Sequence, residues 1–313
     1  MFTVLGETVV DLLPDGPDRY AARPGGSPLN VAVALARLGQ PAALLARLSA
    51  GPLGRRIRDH ALANGVDLAG CPASSRPATL AVATVGATGA ADYDFYLSGT
   101  ADWHWRPAEL AALPDGTAVL HTGSLTAFLG VGADLVAATM RRAAEAGVLV
   151  SFDPNVRPAA LGDPAATRSR LEWLAGYAHL VKASDEDLRW LYPDLDPGAA
   201  ADRLGGLGPA LVVVTLGGAG ALGRTRTVEL VRPARAVTVV DTVGAGDAFT
   251  AGLLAALAAR GLAAPDRLAD IAPAALAEVL DHACLVGSLT CERPGADPPY
   301  AADLRRRAEA DLA

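Results

Sequence analysis

The stretch 241-DTVGAGDAFTAGLLAALAARG-261 couples a tight glycine turn to an apolar helix. A β-like run at 237–240 leads into Gly244, Ala245 and Gly246. Apolar residues then recur at Ala245, Ala248, Phe249, Gly252, Leu253, Ala256 and Leu257, the i, i+3, i+4 spacing of a buried helix. Arg260 suits the C-terminal end of that helix and Gly261 the C′ position. A first turn of Gly-Ala-Gly leaves backbone N–H groups uncrowded, and the aligned peptide dipoles add partial positive charge. Together they make an anion site suited to a phosphoryl group in transfer. Asp247 stands in the same turn. A carboxylate there repels a bound phosphate unless it has a task, and the task expected is general base toward an attacking hydroxyl. An acid that only complements the helix N-terminus would produce the same string.

Upstream, apolar β-like runs at 3–5, 42–45, 118–121, 148–152, 180–182 and 211–216 alternate with Ala-, Leu- and Arg-rich helical stretches such as 31–38 and 133–146. Continuous apolar strands separated by helices predict an α/β fold with a mainly parallel sheet covered on both faces. Ligands then gather at the carboxyl ends of the strands. Two segments, 9–23 and 79–97, break the rhythm with alternating or aromatic patterns, glycine turns and no helix between them. They predict a small antiparallel sheet, a lid built from about 9–24 and 79–100; a pair of surface hairpins is the plainer alternative. Without an interdomain linker or repeat, one domain over 1–313 is expected.

Composition narrows the classes. With 313 residues, 51% apolar and 19% charged, the chain can bury a sizeable core and is not of the disordered class. A net charge of −7 argues against nucleic acid or an anionic membrane as main partner. Lys182 is the sole lysine. Cys71, Cys284 and Cys291 are an odd number for a disulfide framework and lack metal-ligand spacing. The N-terminus has no basic region before its apolar run, and no apolar stretch looks long enough to span a bilayer. A soluble, cytoplasmic protein is the expectation.

A second helix start lies at 25-GGSPLNVAVALARLG-39, with Ser27 as expected N-cap, Pro28 at N1 and Gly39 at C′. Gly25 and Gly26 admit close approach of a ligand to the backbone. Asn30, in the first turn, can donate and accept toward a polyol, and Asp11 could accept from sugar hydroxyls. Ordinary capping with a surface Asn would read the same way.

The two helix starts together resemble the PfkB (ribokinase-like) carbohydrate kinases. The family's D-T-x-G-A-G-D string is met by Asp241–Asp247, and its paired glycines followed by Asn by Gly25, Gly26 and Asn30. GETVVDLLP near the start, DPNVRP from Asp153, VKASDEDL from Val181 and TLGGAGA from Thr215 follow in the family's order, with the fructokinase-type branch closest in pattern. The resemblance implies a ribokinase-like three-layer α/β/α domain with a small antiparallel β lid, and ATP- and Mg²⁺-dependent phosphorylation of a sugar hydroxyl. Asp247 would be the base, with Gly244, Ala245 and Gly246 as its anion-binding turn. Asp11, Gly25, Gly26, Asn30, Phe95, Tyr96 and Arg157 would hold the sugar. Lys182, Ser184, Thr215, Gly217 and Gly220 would line the nucleotide site. Asp187 would serve Mg²⁺ through water, Asp241 would stand at a monovalent-cation position suited to K⁺, and paired lids would form a homodimer. Two departures stand out. The family's N-x-x-E appears as Ser184-Asp185-Glu186-Asp187, which also spells a capping box. Leu97 follows the lid tyrosine where some members carry Arg, which weakens the case for a carboxylate-bearing substrate.

Rival classes fare worse. Gly218, Gly220 and Gly223 spell G-x-G-x-x-G after an apolar strand, but RTRTVELVRPA follows where a dinucleotide-binding dehydrogenase needs a helix. Val181 before Lys182 excludes a P-loop, and no G-x-S-x-G elbow occurs. A non-catalytic sugar-binding regulator on the same scaffold would not need Asp247. Ribose, other ketoses, 2-keto-3-deoxygluconate and nucleosides stay open as substrates beside fructose.

Overall fold

The computed structural model of the chain describes every residue except 17, 86–90 and 312–313. An eight-stranded sheet forms the centre, in the order Glu229–Arg232, Ala221–Arg224, Leu211–Thr215, Leu180–Ser184, Leu149–Asp153, Val119–Gly123, Phe2–Leu5, Ala42–Leu45. The six strands from Leu211–Thr215 to Ala42–Leu45 are parallel, and the two at the other edge are antiparallel.

Alternation along these strands builds both cores. Val4, Leu149 and Leu211 pack on one face with the helices Ser27–Arg37, Ala245–Ala259 and Pro273–Cys291. Leu5, Val150 and Val212 pack on the other with Ala133–Glu145, Pro164–Ala175 and Pro197–Gly205. The result is the expected three-layer α/β/α domain, because strands buried on both faces carry apolar residues at every position.

A four-stranded sheet stands beside it, in the order Tyr20–Gly25, Val9–Pro14, Thr79–Val85, Ala91–Tyr96. Its outer pairs are antiparallel hairpins, and its middle pair, Val9 to Leu12 against Thr79 to Val82, runs parallel. This sheet occupies the span predicted for the lid, with one parallel pair at its centre; residues 17 and 86–90 of that span lie outside the described residues.

Two expectations change. Residues 237–240 form no strand: Val239 and Val240 are exposed, and the Val240 amide donates to the Cys291 carbonyl at 2.8 Å. The sheet already ends at Glu229–Arg232, so this valine run has no ladder to join. The helix Pro273–Cys291 is, by length and composition, apolar enough to cross a membrane. Here Leu276, Val279, Leu280, Ala283 and Val286 are buried in the core. A hydrophobic pattern does not separate a spanning helix from a buried one.

Candidate active site

The carboxyl ends of the parallel strands open on one cleft of about 1000 Å³. Glu7 enters it beyond Phe2–Leu5, Ser124 beyond Val119–Gly123, and Asn155 and Arg157 beyond Leu149–Asp153. Ser184 and Gly217 close the ends of the next two strands. The lid supplies Asp11, Tyr93 and Phe95, and the helix Ala245–Ala259 brings Gly244, Ala245, Gly246 and Asp247 to the same cleft.

Asp247 is held by both its oxygens. Ser27 Oγ donates to one at 2.6 Å, and Asn30 Nδ2 donates to the other at 2.8 Å. Ser27 was expected as an N-cap; the N-cap is Gly26, whose φ of +99° lets the chain enter the helix one residue earlier. Ser27 thereby becomes a first-turn residue and turns its hydroxyl on Asp247. Burial pushes the Asp247 pKa up, while the Ser27 and Asn30 donors and Lys182 pull against it. Burial outweighs the donors, and the result is a carboxyl more basic than an exposed one.

Gly244 is the N-cap of the Asp247 helix in left-handed conformation, φ +76°, and a Cβ there would lie 2.6 Å from Ala296 Cβ. A Cβ on Gly246 would stand 3.3 Å from Lys182 Nζ, so the glycine turn and the lysine are neighbours. Lys182 is buried and pairs with Asp153 at 2.8 Å. Burial disfavours its charge, but Asp153 more than restores it, and its pKa is raised. The cation therefore stays charged beside the amides of the helix start.

On the lid side, Asp11 lies so close to Gly25 that a Cβ there would fall 2.2 Å from Asp11 Oδ2. Burial raises the Asp11 pKa to about 6, against the pull of Arg157. Arg157 is exposed in the cleft wall and donates to the Val156 carbonyl at 2.9 Å. Phe95 faces the cleft and stacks with Tyr93 at 6.2 Å. Tyr96, expected to face the substrate, is 59% exposed and does not line the cleft. Strand side chains alternate, so Tyr93 and Phe95 share a face that Tyr96 cannot.

At the other end Thr215, Gly217, Gly218 and Gly220 line the cleft with Ser184, Val237 and Val239. A Cβ on Gly220 would fall 2.0 Å from the Arg232 carbonyl. After Gly223 comes a hairpin and not a helix, which removes the dinucleotide-binding alternative. Ser184 and Asp187 form the capping box, and the second Asp187 oxygen accepts from the Val156 amide at 2.9 Å. Both Asp187 oxygens thus serve the backbone. Asp241 likewise accepts from the amides of Val243 at 3.1 Å and Gly295 at 2.7 Å, and it does not line the cleft. Among the described residues no cluster of three or more His, Cys, Asp or Glu could hold a metal ion.

The profile of the pfkB family carbohydrate kinases matches residues 2–303. The chain belongs to that family. It is a carbohydrate kinase, a phosphotransferase with an alcohol acceptor. The kinase is 38% identical over 310 residues to a fructokinase of Klebsiella pneumoniae, covering 97% of each chain. Among solved structures it is similar to a fructokinase of Xylella fastidiosa with bound ATP, with a TM-score of 0.91, 28% identity, and 100% of this chain and 99% of that chain covered. It is also similar to a fructokinase double mutant of Vibrio cholerae O395 with fructose, ADP and potassium ion, with a TM-score of 0.82, 29% identity, and coverage of 94% and 93%.

Three cleft residues of this kinase, Tyr93, Ser27 and Glu7, and Asp153 behind Lys182, escape a reading of motifs. Asp153 opens the DPNVRP string but shows its partner only when two strands lie side by side. Tyr93 was legible from the same alternation that sets Tyr96 aside. Ser27 reads as a cap and Glu7 as an interruption of an apolar run.

Proposed function

We propose that this kinase transfers the γ-phosphoryl group of ATP to a primary hydroxyl of fructose. The observation that carries the reading is the carboxylate of Asp247, held by Ser27 and Asn30 at a helix start that shares one cleft with Lys182 and the Thr215–Gly220 turn. Relatives of comparable length bear the name fructokinase, and the lid side offers Asp11, Asn30, Asn155 and Arg157 as polyol partners around the Phe95 face. Three carboxylates, Glu7, Asp11 and Asp247, line that side, which favours a neutral sugar over a carboxylate-bearing or phosphorylated one.

The sugar sits between lid and main sheet with its hydroxyl toward Asp247. Asp247 accepts the proton as the oxygen attacks the γ-phosphorus in line. The amides of Gly246 and Asp247 face the migrating group, while the Ala245 amide, expected beside them, donates to the Thr242 carbonyl at 3.2 Å; Lys182 adds fixed positive charge. Thr215, Gly217, Gly220 and Ser184 hold the nucleotide, and the lid keeps competing water away. Asp185 and Glu186 line the cleft next to Asp187, so the acidic helix start fits a magnesium–triphosphate, with Glu186 exposed and Asp187 holding the backbone. Magnesium, when bound, neutralises charge on the triphosphate. Asp241 would fix the loop beside a monovalent cation such as K⁺. We further infer a homodimer through the outer lid faces, where Tyr20 and Tyr96 are exposed, and a cytoplasmic setting for an enzyme that draws on ATP.

ADP release over a panel of sugars tests this reading. Fructose should give the highest kcat/KM, ahead of ribose, 2-keto-3-deoxygluconate and nucleosides. ADP release independent of every sugar would overturn the assignment, and a higher kcat/KM with another member of the panel would replace fructose.

A further inference from the structure

Asp102 is a buried carboxyl that does not line the cleft and, among the described residues, forms no ion pair. Its Oδ1 accepts from the Thr8 amide at 2.8 Å and lies 3.3 Å from the Thr8 hydroxyl. Its Oδ2 lies 2.6 Å from Thr79 Oγ1. Thr79 Oγ1 lies 2.7 Å from Thr100 Oγ1, and Thr100 donates to the Leu97 carbonyl at 2.8 Å.

These partners are the roots of the lid. Thr8 precedes the strand Val9–Pro14, Thr79 opens Thr79–Val85, and Thr100 follows Ala91–Tyr96. The fourth strand, Tyr20–Gly25, ends against the same point: a Cβ on Gly26 would lie 3.2 Å from Thr8 Cα and 3.0 Å from the Val9 nitrogen. Three lid strands therefore join one hydrogen-bonded network centred on Asp102, and the fourth ends against the Thr8 backbone that this network holds.

The hydrogens can be counted. The chain Asp102–Thr79–Thr100–Leu97 has three contacts, and its last acceptor is a carbonyl that gives no proton. The two threonine hydroxyls supply two hydrogens. With Asp102 ionised, one of the three contacts has no hydrogen. With Asp102 protonated, its O–H donates to Thr79, Thr79 to Thr100 and Thr100 to Leu97, and each contact is filled. Burial raises the pKa of Asp102 to about 6, in the direction this count requires.

We infer that Asp102 is a proton-bearing clasp, a positioning residue that fixes the roots of the lid and so sets where Asp11, Tyr93 and Phe95 meet the sugar. The nucleotide groups ride on the main sheet and stay outside its reach. The inference rests on the reading that those lid residues hold the sugar, and wild-type turnover of fructose checks that reading separately.

The test compares wild type with Asp102→Ala, Asp102→Asn and Thr79→Val, measuring KM for sugar and for ATP at pH 5.5, below the value of about 6 to which burial raises Asp102. Asp102→Ala and Thr79→Val should each raise the sugar KM by about fivefold or more and change the ATP KM by less than about twofold. Asp102→Asn, whose amide N–H takes the place of the carboxyl O–H, should keep the sugar KM within about twofold of wild type. If Asp102→Ala does not fold, Thr79→Val and Asp102→Asn decide. Equal rises in both KM values, an unchanged sugar KM in Thr79→Val, or an Asn variant as impaired as Thr79→Val would overturn the clasp. A wild type that turns over another sugar and not fructose moves the measurement to that sugar; a wild type that turns over none overturns the functional reading itself.

Discussion

Asp247 and Asn30 stand 217 positions apart in the chain and 2.8 Å apart in the fold. Each lies in the first turn of a helix that follows a glycine with positive φ, Gly244 at +76° and Gly26 at +99°. Two N-terminal turns thus face each other, one carrying the carboxylate and the other its donors. The helices Ser27–Arg37 and Ala245–Ala259 share a core, so this meeting is fixed by packing and not by the ligand.

Ser27→Ala separates holding the base from holding the sugar. It removes the 2.6 Å donor to Asp247. A hydrogen bond to a charged group contributes about 1.5–3 kcal/mol, so kcat should fall by roughly 10-fold or more while sugar affinity stays near wild type. Steady-state kinetics with calorimetry of sugar binding checks this; an unchanged kcat would leave Ser27 an ordinary first-turn residue.

The pH profile carries a second signature. The base acts only when ionised, so kcat/KM must rise with pH through its pKa. Burial places the Asp247 pKa above the ordinary carboxylate range, and Asp11 titrates at about 6. The acid limb should lie above the usual carboxylate pKa of about 4, and Ser27→Ala should shift it further upward, because that donor lowers the Asp247 pKa. A profile flat from neutrality down to about pH 4 would contradict a buried carboxylate base.

The lid strand gives a prediction from alternation alone. Phe95→Ala should raise the sugar KM by about an order of magnitude, since Phe95 lines the cleft. Tyr96→Ala, on the opposite face, should leave the sugar KM unchanged. Sedimentation of Tyr96→Ala should show more monomer than wild type if the outer faces pair.

Much of this was open to reading from the residues, and the limits are physical. Strands buried on both faces announce themselves as apolar runs, and 3–5, 42–45 and 211–216 lie where such runs predict strands. The run at 237–240 has the same composition but lacks a neighbour, and β-pairing is a property of two segments. Asp247 and the glycine turn were legible because a helix start and its anion site are local. The donors Ser27 and Asn30, and the Asp153 partner of Lys182, became visible only when distant segments met. Ser27 read as a cap because capping and catalysis use the same hydroxyl.

Glu7 offers a check on stability. Burial raises its pKa to about 7, while Ser124 and the Thr126 amide partly offset the shift. The folded state then holds a proton that the unfolded chain has lost between about pH 4.5 and 7, so this residue's contribution falls as pH rises through that window. Glu7→Gln should be more stable than wild type at pH 8 by on the order of 2 kcal/mol, with the difference vanishing below about pH 4.5. Urea denaturation at the two pH values measures it; a difference independent of pH would mean that Glu7 does not titrate there.

The most direct measurement is turnover of Asp247→Asn with fructose and ATP, together with calorimetry of sugar binding. Loss of the base should lower kcat by at least about 100-fold while the sugar still binds with near wild-type affinity. Near-normal turnover would contradict the account, because phosphoryl transfer would then proceed without a carboxylate at the helix start.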